Sequence, residues 1–161
     1  MKIDTKRSII AKLLKSVPLM LLYFSTLNEF DLNYINFKYF SFNFTFILIY
    51  FWSLKNYETL GYVHIFIAGI INDVVVGYPV GVSAFIYLFI CGFAAYLRNI
   101  TLRPNLINDW LFFLFTILFV TSINYFLLSI FFLIELNYYE LTGNVVFTFL
   151  LYIFFAFIFD Q

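Results

Sequence analysis

Long apolar runs alternate with short polar breaks along this chain. Six runs stand out, approximately Ser8–Leu27, Phe37–Leu54, Leu60–Val76, Val80–Leu97, Trp110–Ile134 and Leu141–Phe159. Each is near the roughly 17–25 residues that a helix needs to cross a bilayer. The runs are continuous, unlike the short alternating strands of an outer-membrane barrel. The pattern predicts an all-α, polytopic membrane protein of about six transmembrane helices, with residues 1–161 forming one integral membrane domain. The first run is the weakest, because Lys12 and Lys15 fall inside it and must reach the headgroups on their long stems. A signal peptide is the alternative there. No small-x-small cleavage site follows, which favours an uncleaved anchor.

Composition strengthens the membrane reading. The chain is 64% hydrophobic and 11% charged, and a water-soluble domain this small has too much surface to hide such a sequence. Zero net charge points to no nucleic-acid partner. A single cysteine, Cys91, allows no internal disulfide. With six helices and a cytoplasmic N-terminus, eight of the nine basic residues lie on one side: Lys2, Lys6, Arg7, Lys12, Lys15, Lys55, Arg98 and Arg103. Only Lys38 falls opposite, so the positive-inside rule sets both termini in the cytoplasm, N-in and C-in. Arg98 and Arg103 read as topology determinants that touch lipid phosphate.

One carboxylate interrupts the apolar pattern. "GIINDVVVGYPVG" runs from Gly69 to Gly81 and contains Asp73 about one turn inside the outer end of the third helix. Helical spacing stacks Gly69, Asp73 and Gly77 on one face. Glycines there let another backbone come close, and Ala84, Gly92 and Ala95 offer the fourth helix a comparable small-residue side. Gly77, Tyr78, Pro79 and Gly81 make a tight hairpin, since glycine permits positive φ and proline favours turns. Asp73 then has three open roles: accepting hydrogen bonds from hairpin amides or neighbouring side chains, contacting a partner, or handling a proton or ion. The first is preferred. On that view Asp73→Asn is largely tolerated, and Gly69→Leu or Gly77→Leu does more harm because each fills a close backbone contact.

Catalytic and metal constellations are lacking in the sequence. His64 is the only histidine. Its nine-residue spacing from Asp73 leaves the two about half a turn out of phase. "GVSAF" at Gly81–Phe85 gives Ser83 no histidine base on its own side of the membrane. Neither Asp109, placed at a loop end, nor Asp160 pairs with Asp73 as an aspartate dyad requires. The expectation is a protein that is not an enzyme and takes no metal or cofactor. Thr121 and Asn124, three apart on the fifth helix, are expected to bond across to a neighbouring helix, and a ligand contact at Asn124 is the less favoured reading. Trp52, Trp110, Tyr138 and Tyr139 read as interfacial belts.

"GIINDVVVGYPVGVSAF" resembles the signature of the rod shape-determining protein MreD family, G-L-L-x-D-x-x-x-G-x-x-L-G-x-x-A-L. Gly69, Asp73, Gly77, Gly81 and Ala84 fall on its positions, and Val80 and Phe85 replace leucines. The upstream "IYFW" at Ile49–Trp52 resembles the family's aromatic end of helix 2. The proline often found after it is replaced by "KNYETLG". The resemblance implies a non-enzymatic scaffold in the bacterial inner membrane, within the machinery of cell elongation and sidewall peptidoglycan synthesis. Its implied partners are membrane lipids and an MreC-like protein, with RodA and a penicillin-binding transpeptidase alongside. It also implies a likeness to the substrate-binding membrane subunits of ECF vitamin transporters, which is the competing function. Transport requires a roomy polar pocket, and the few intramembrane polar groups favour the scaffold. The hairpin Val76–Val82, with an exposed Tyr78 and a nearby carboxylate, is the expected docking point for the partner.

Overall fold

The computed structural model describes residues 16–27, 42–55, 60–101, 105–133 and 137–159. The basic residues Lys2 to Lys15, Lys38 and Arg103, together with Asp160, lie outside them. Among the described residues the structure is helical: α1 (Ser16–Leu27), α2 (Phe44–Lys55), α3 (Tyr62–Val76), α4 (Val82–Ile100), α5 (Leu106–Phe126) and α6 (Tyr138–Phe159). α4, α5 with its extension to Phe131, and α6 are long and apolar enough to cross a membrane, while α1 to α3 are shorter apolar helices. Each helix overlaps one predicted run.

The boundaries follow local chemistry. Asn43 caps α2, its side-chain oxygen accepting from the Phe46 amide at 3.3 Å. Asn105 caps α5 by accepting from the Ile107 amide at 3.2 Å. Such caps satisfy amides that have no intrahelical acceptor. The Asn105 cap starts α5 before Trp110, so Asp109 belongs to the helix and is buried; it is not at a loop end. At the other end α5 widens into a π-turn over Leu127–Phe131, and Leu133 takes a positive φ of 54°.

α2 is the interior helix. It is apolar on every side and buries nearly all of its residues from Thr45 to Leu54, as expected of a helix with no polar stripe. α4 packs against α2, α3 and α5, and α6 closes on α2 and α5. Tyr50, Phe113 and Tyr152 fill the centre, with ring centroids 4.5 to 5.6 Å apart. The Tyr50 hydroxyl donates to the carbonyl of Asp109 at 3.1 Å, which meets the need of a buried phenol for a partner. α5 and α6 turn large apolar side chains outward, among them Phe115, Leu118, Leu150 and Phe157. This is the surface that lipid covers.

Two readings of individual residues change. Arg98 turns into the protein, its Nη1 donating to the Ser53 carbonyl at 2.9 Å. It thereby supplies a cation and a donor to the last turn of α2, where carbonyls lack partners. Trp110 stacks flat on Phe149 at 4.4 Å and donates its indole N–H to the Phe149 carbonyl at 2.9 Å. It therefore ties α5 to α6 as well as standing near a helix end.

Candidate functional site

The hairpin between α3 and α4 is built from three residues with distinct tasks. Gly77 ends α3 in the left-handed region (φ 79°). Its amide and that of Tyr78 both donate to the Asp73 carbonyl at 2.9 Å, which is the usual closure of a helix on a left-handed residue. Gly81 starts α4, also with positive φ (105°). Between these turns the Asp73 side chain spans the hairpin. Its Oδ2 accepts from the Gly81 amide at 2.7 Å and its Oδ1 from the Ser83 amide at 2.8 Å. A carboxylate from α3 therefore caps the first turn of α4, where free amides and the helix dipole favour negative charge.

Asn72 reinforces this clamp, its side-chain amide donating to Ser83 Oγ at 3.1 Å. One turn down, Gly69 meets Ala84. A Cβ built on Gly69 would stand 2.2 Å from the Ala84 Cα and 2.5 Å from its nitrogen. Only a residue without a side chain allows that approach. Gly77 differs, since a Cβ there meets nothing within 4 Å. Its requirement is the backbone angle and not space, so the expected close contact at Gly77 is corrected. The small face of α4 is also corrected. Ala84 and Ala94 are buried, whereas Gly92 lies on the outer surface in a shallow apolar groove with Phe89 and Phe93.

Asp73 is wholly buried, at 0% exposure, and both its oxygens are occupied. Tyr78 is half-buried and faces inward, while Pro79 is half-buried and Val80 exposed. The expected docking surface of exposed Tyr78 plus carboxylate is therefore not what the hairpin presents. Its outer surface is valine: Val80 is 70% exposed and Val74 68%. His64 is exposed on α3.

Tyr78 faces a cavity of about 300 Å³ that opens among the hairpin ends of the helices. Its lining is polar to a degree that the sparse sequence pattern did not suggest. Ser25, Thr45 and Ser83 contribute buried hydroxyls; Thr121 and Asn124 come from α5, and Asn137, Glu140 and Asn144 from the start of α6. Several already have partners: Thr45 donates to Ser25 at 3.0 Å, and Asn137 to Glu140 Oε1 at 3.2 Å. Thr121 and Asn124 do not bond to a neighbouring helix among the described residues; both line the cavity instead. Sequence reasoning missed this site because its walls come from α1 through α6, each adding one to three residues. The one available signal was the set of Asn, Ser and Thr residues on the hairpin side of several runs.

Apolar helices wrapped by an outward-facing apolar surface, with one carboxylate used as a cap inside, define an all-helical membrane protein. Within that class the chain belongs to the MreD family: the model of the rod shape-determining protein MreD matches residues 10–160. No curated protein and no solved structure matches it significantly. The chain is thus a membrane protein of rod-shape determination.

Proposed function

We propose that this protein is a non-enzymatic, multi-pass scaffold of the bacterial inner membrane that helps organise cell elongation and sidewall peptidoglycan synthesis. It binds an MreC-like partner beside RodA and a penicillin-binding transpeptidase. The family match over nearly the whole chain carries this reading. The rigid α3–α4 hairpin supports it, because a surface fixed by the Asp73 clamp and the Gly69–Ala84 contact loses little entropy on binding. The partner surface is the exposed valine edge, Val74, Val75 and Val80, flanked by lipid. The distribution of basic residues supports a periplasmic hairpin with both termini inside, six spans in all.

Two measurements test this. A cysteine at Val80 should react with an impermeant maleimide in intact spheroplasts, and one at Lys55 only after permeabilisation; the opposite result rejects the topology. A photocrosslinker at Val80, compared with one at Lys55, should capture an MreC-like protein. Crosslinks from Lys55 alone would move the interface to the cytoplasmic side. The transporter-subunit reading gains from the 300 Å³ polar cavity. Co-purification with a transporter ATPase, in place of MreC, would establish it over the scaffold.

A further inference from the structure

The cavity at the hairpin end has properties that a packing defect lacks. A void left by imperfect packing is apolar, whereas this one is lined by amides and hydroxyls from several helices. Polar groups gathered between apolar helices are costly unless water or a ligand bonds to them. Among the described residues, Thr121 and Asn124 have no hydrogen-bond partner within the chain, though both line the cavity. Near them stand the rings of Phe46, Tyr78 and Tyr87.

We infer that this cavity is a binding site for a neutral, polyhydroxylated ligand the size of one sugar ring. Size comes first: about 300 Å³ lies at the small end of ligand pockets. Charge comes next. Among the described residues the lining holds no Lys, Arg or His, and the one carboxylate there, Glu140, already accepts from Asn137. The helix starts facing the cavity are capped, α2 by Asn43, α4 by Asp73 and α6 by Asn137. A phosphate or carboxylate therefore finds no cation and no uncapped helix end among the described residues. Amides and hydroxyls both donate and accept, which matches hydroxyl groups that do the same. The half-buried ring of Tyr78 beside them suits the C–H groups of a sugar ring. The same headgroup chemistry is offered by a free sugar and by a glycolipid, and the test separates the two. This inference stands apart from the partner reading, because it concerns the inside of the bundle and not its valine edge.

The test uses the full chain in nanodiscs of phosphatidylethanolamine and phosphatidylglycerol, which carry no sugar. Saturation-transfer NMR is recorded with glucose, N-acetylglucosamine, glucose 6-phosphate and choline as probes. Native mass spectrometry is recorded with glucosyl diacylglycerol added to the discs. The expected result is transfer to a neutral sugar, or retention of the glycolipid, with glucose 6-phosphate and choline inactive. The first outcome names a free sugar as the source and the second a lipid headgroup. Asn124→Leu should weaken the signal on the order of tenfold, as the loss of a hydrogen bond plus filled space predicts. Thr121→Val, which keeps shape and removes only the hydroxyl, should weaken it several-fold and guards against a folding defect in the first variant. Binding of the phosphate or choline probe equal to that of the sugars would overturn the proposal. So would the absence of any sugar or glycolipid binding, or binding that both variants leave unchanged.

Discussion

Asp73 and Asn124 are polar side chains at the same end of the bundle, and the protein treats them in opposite ways. Asp73 is fully buried, with an amide on each oxygen at 2.7 and 2.8 Å. Asn124 is half-buried, faces a cavity, and has no partner among the described residues. The first arrangement joins two helices through a charge-assisted contact that excludes water, and such bonds are about twice as strong as neutral ones. The second leaves donors and acceptors for something other than the protein. A polar group inside a membrane protein is therefore not one kind of evidence. Its neighbours decide whether it holds the fold or serves a ligand.

The sharpest way to break the closed region is at Gly69. Gly69→Leu forces α3 and α4 apart, because the nearest atoms are the Ala84 backbone and backbone cannot rotate away. Overpacking of this kind costs about 3 kcal/mol or more. The expected outcome is loss of folded protein from membranes, read by accumulation and by size-exclusion of detergent extracts. Normal accumulation would mean that the two helices are not in such contact.

Next comes Asp73 itself. Asp73→Ala leaves the buried Ser83 amide and the part-buried Gly81 amide without acceptors, at about 1–3 kcal/mol for the buried one and less for the other. Asp73→Asn, expected from sequence to be nearly silent, now acquires a definite cost. An Asn side chain has one acceptor oxygen, and its NH2 group would face the second amide. The asparagine variant should fall between wild type and alanine in thermal stability. A melting temperature equal to wild type would show that one of the two hydrogen bonds contributes nothing.

A smaller effect is expected at Gly77. An alanine there meets no neighbour, but its φ of 79° costs an L-residue about 1–2 kcal/mol. Gly77→Asn should recover part of that loss, because Asn tolerates the left-handed region better. Equal melting points for the alanine and asparagine variants would remove the backbone angle as the cause. The smallest change in stability should come from Asn124→Leu, within about 0.5 kcal/mol as for sites outside any bonded network. A large loss there would mean that Asn124 is structural, and the contrast between closed and open regions would fail.

Local features of the hairpin were legible beforehand. Gly69, Asp73 and Gly77 share a face by helical spacing alone, and a carboxylate one turn from a glycine-rich turn has amides within reach. Gly77 and Gly81 both take the positive φ that a tight turn between antiparallel helices demands. What spacing did not reveal was which glycine needs room and which needs an angle. That distinction depends on where the neighbouring helix lies, and Ala84 is fifteen residues beyond Gly69 but seven beyond the open Gly77. Gly92 shows the same limit: it was placed on the packed side of α4 by its size, and it faces outward.

By itself the sequence determined the solvent and the elements. So high an apolar content over so few residues leaves lipid as the only medium in which the chain can rest, and backbone groups in lipid must bond within helices. Its turn glycines and the carboxylate one turn before them also determined where two helices meet. Tertiary structure alone decided that α2 is the interior helix, that Arg98 caps it through Ser53, and that polar residues scattered from Ser25 to Asn144 surround one cavity. The physical reason is that hydrophobicity is non-directional. It drives every one of these helices into the membrane equally well, but it cannot specify which helix stands beside which. The order of the helices in space comes from close backbone approach, ring packing and paired polar groups, and these exist only once the helices have met.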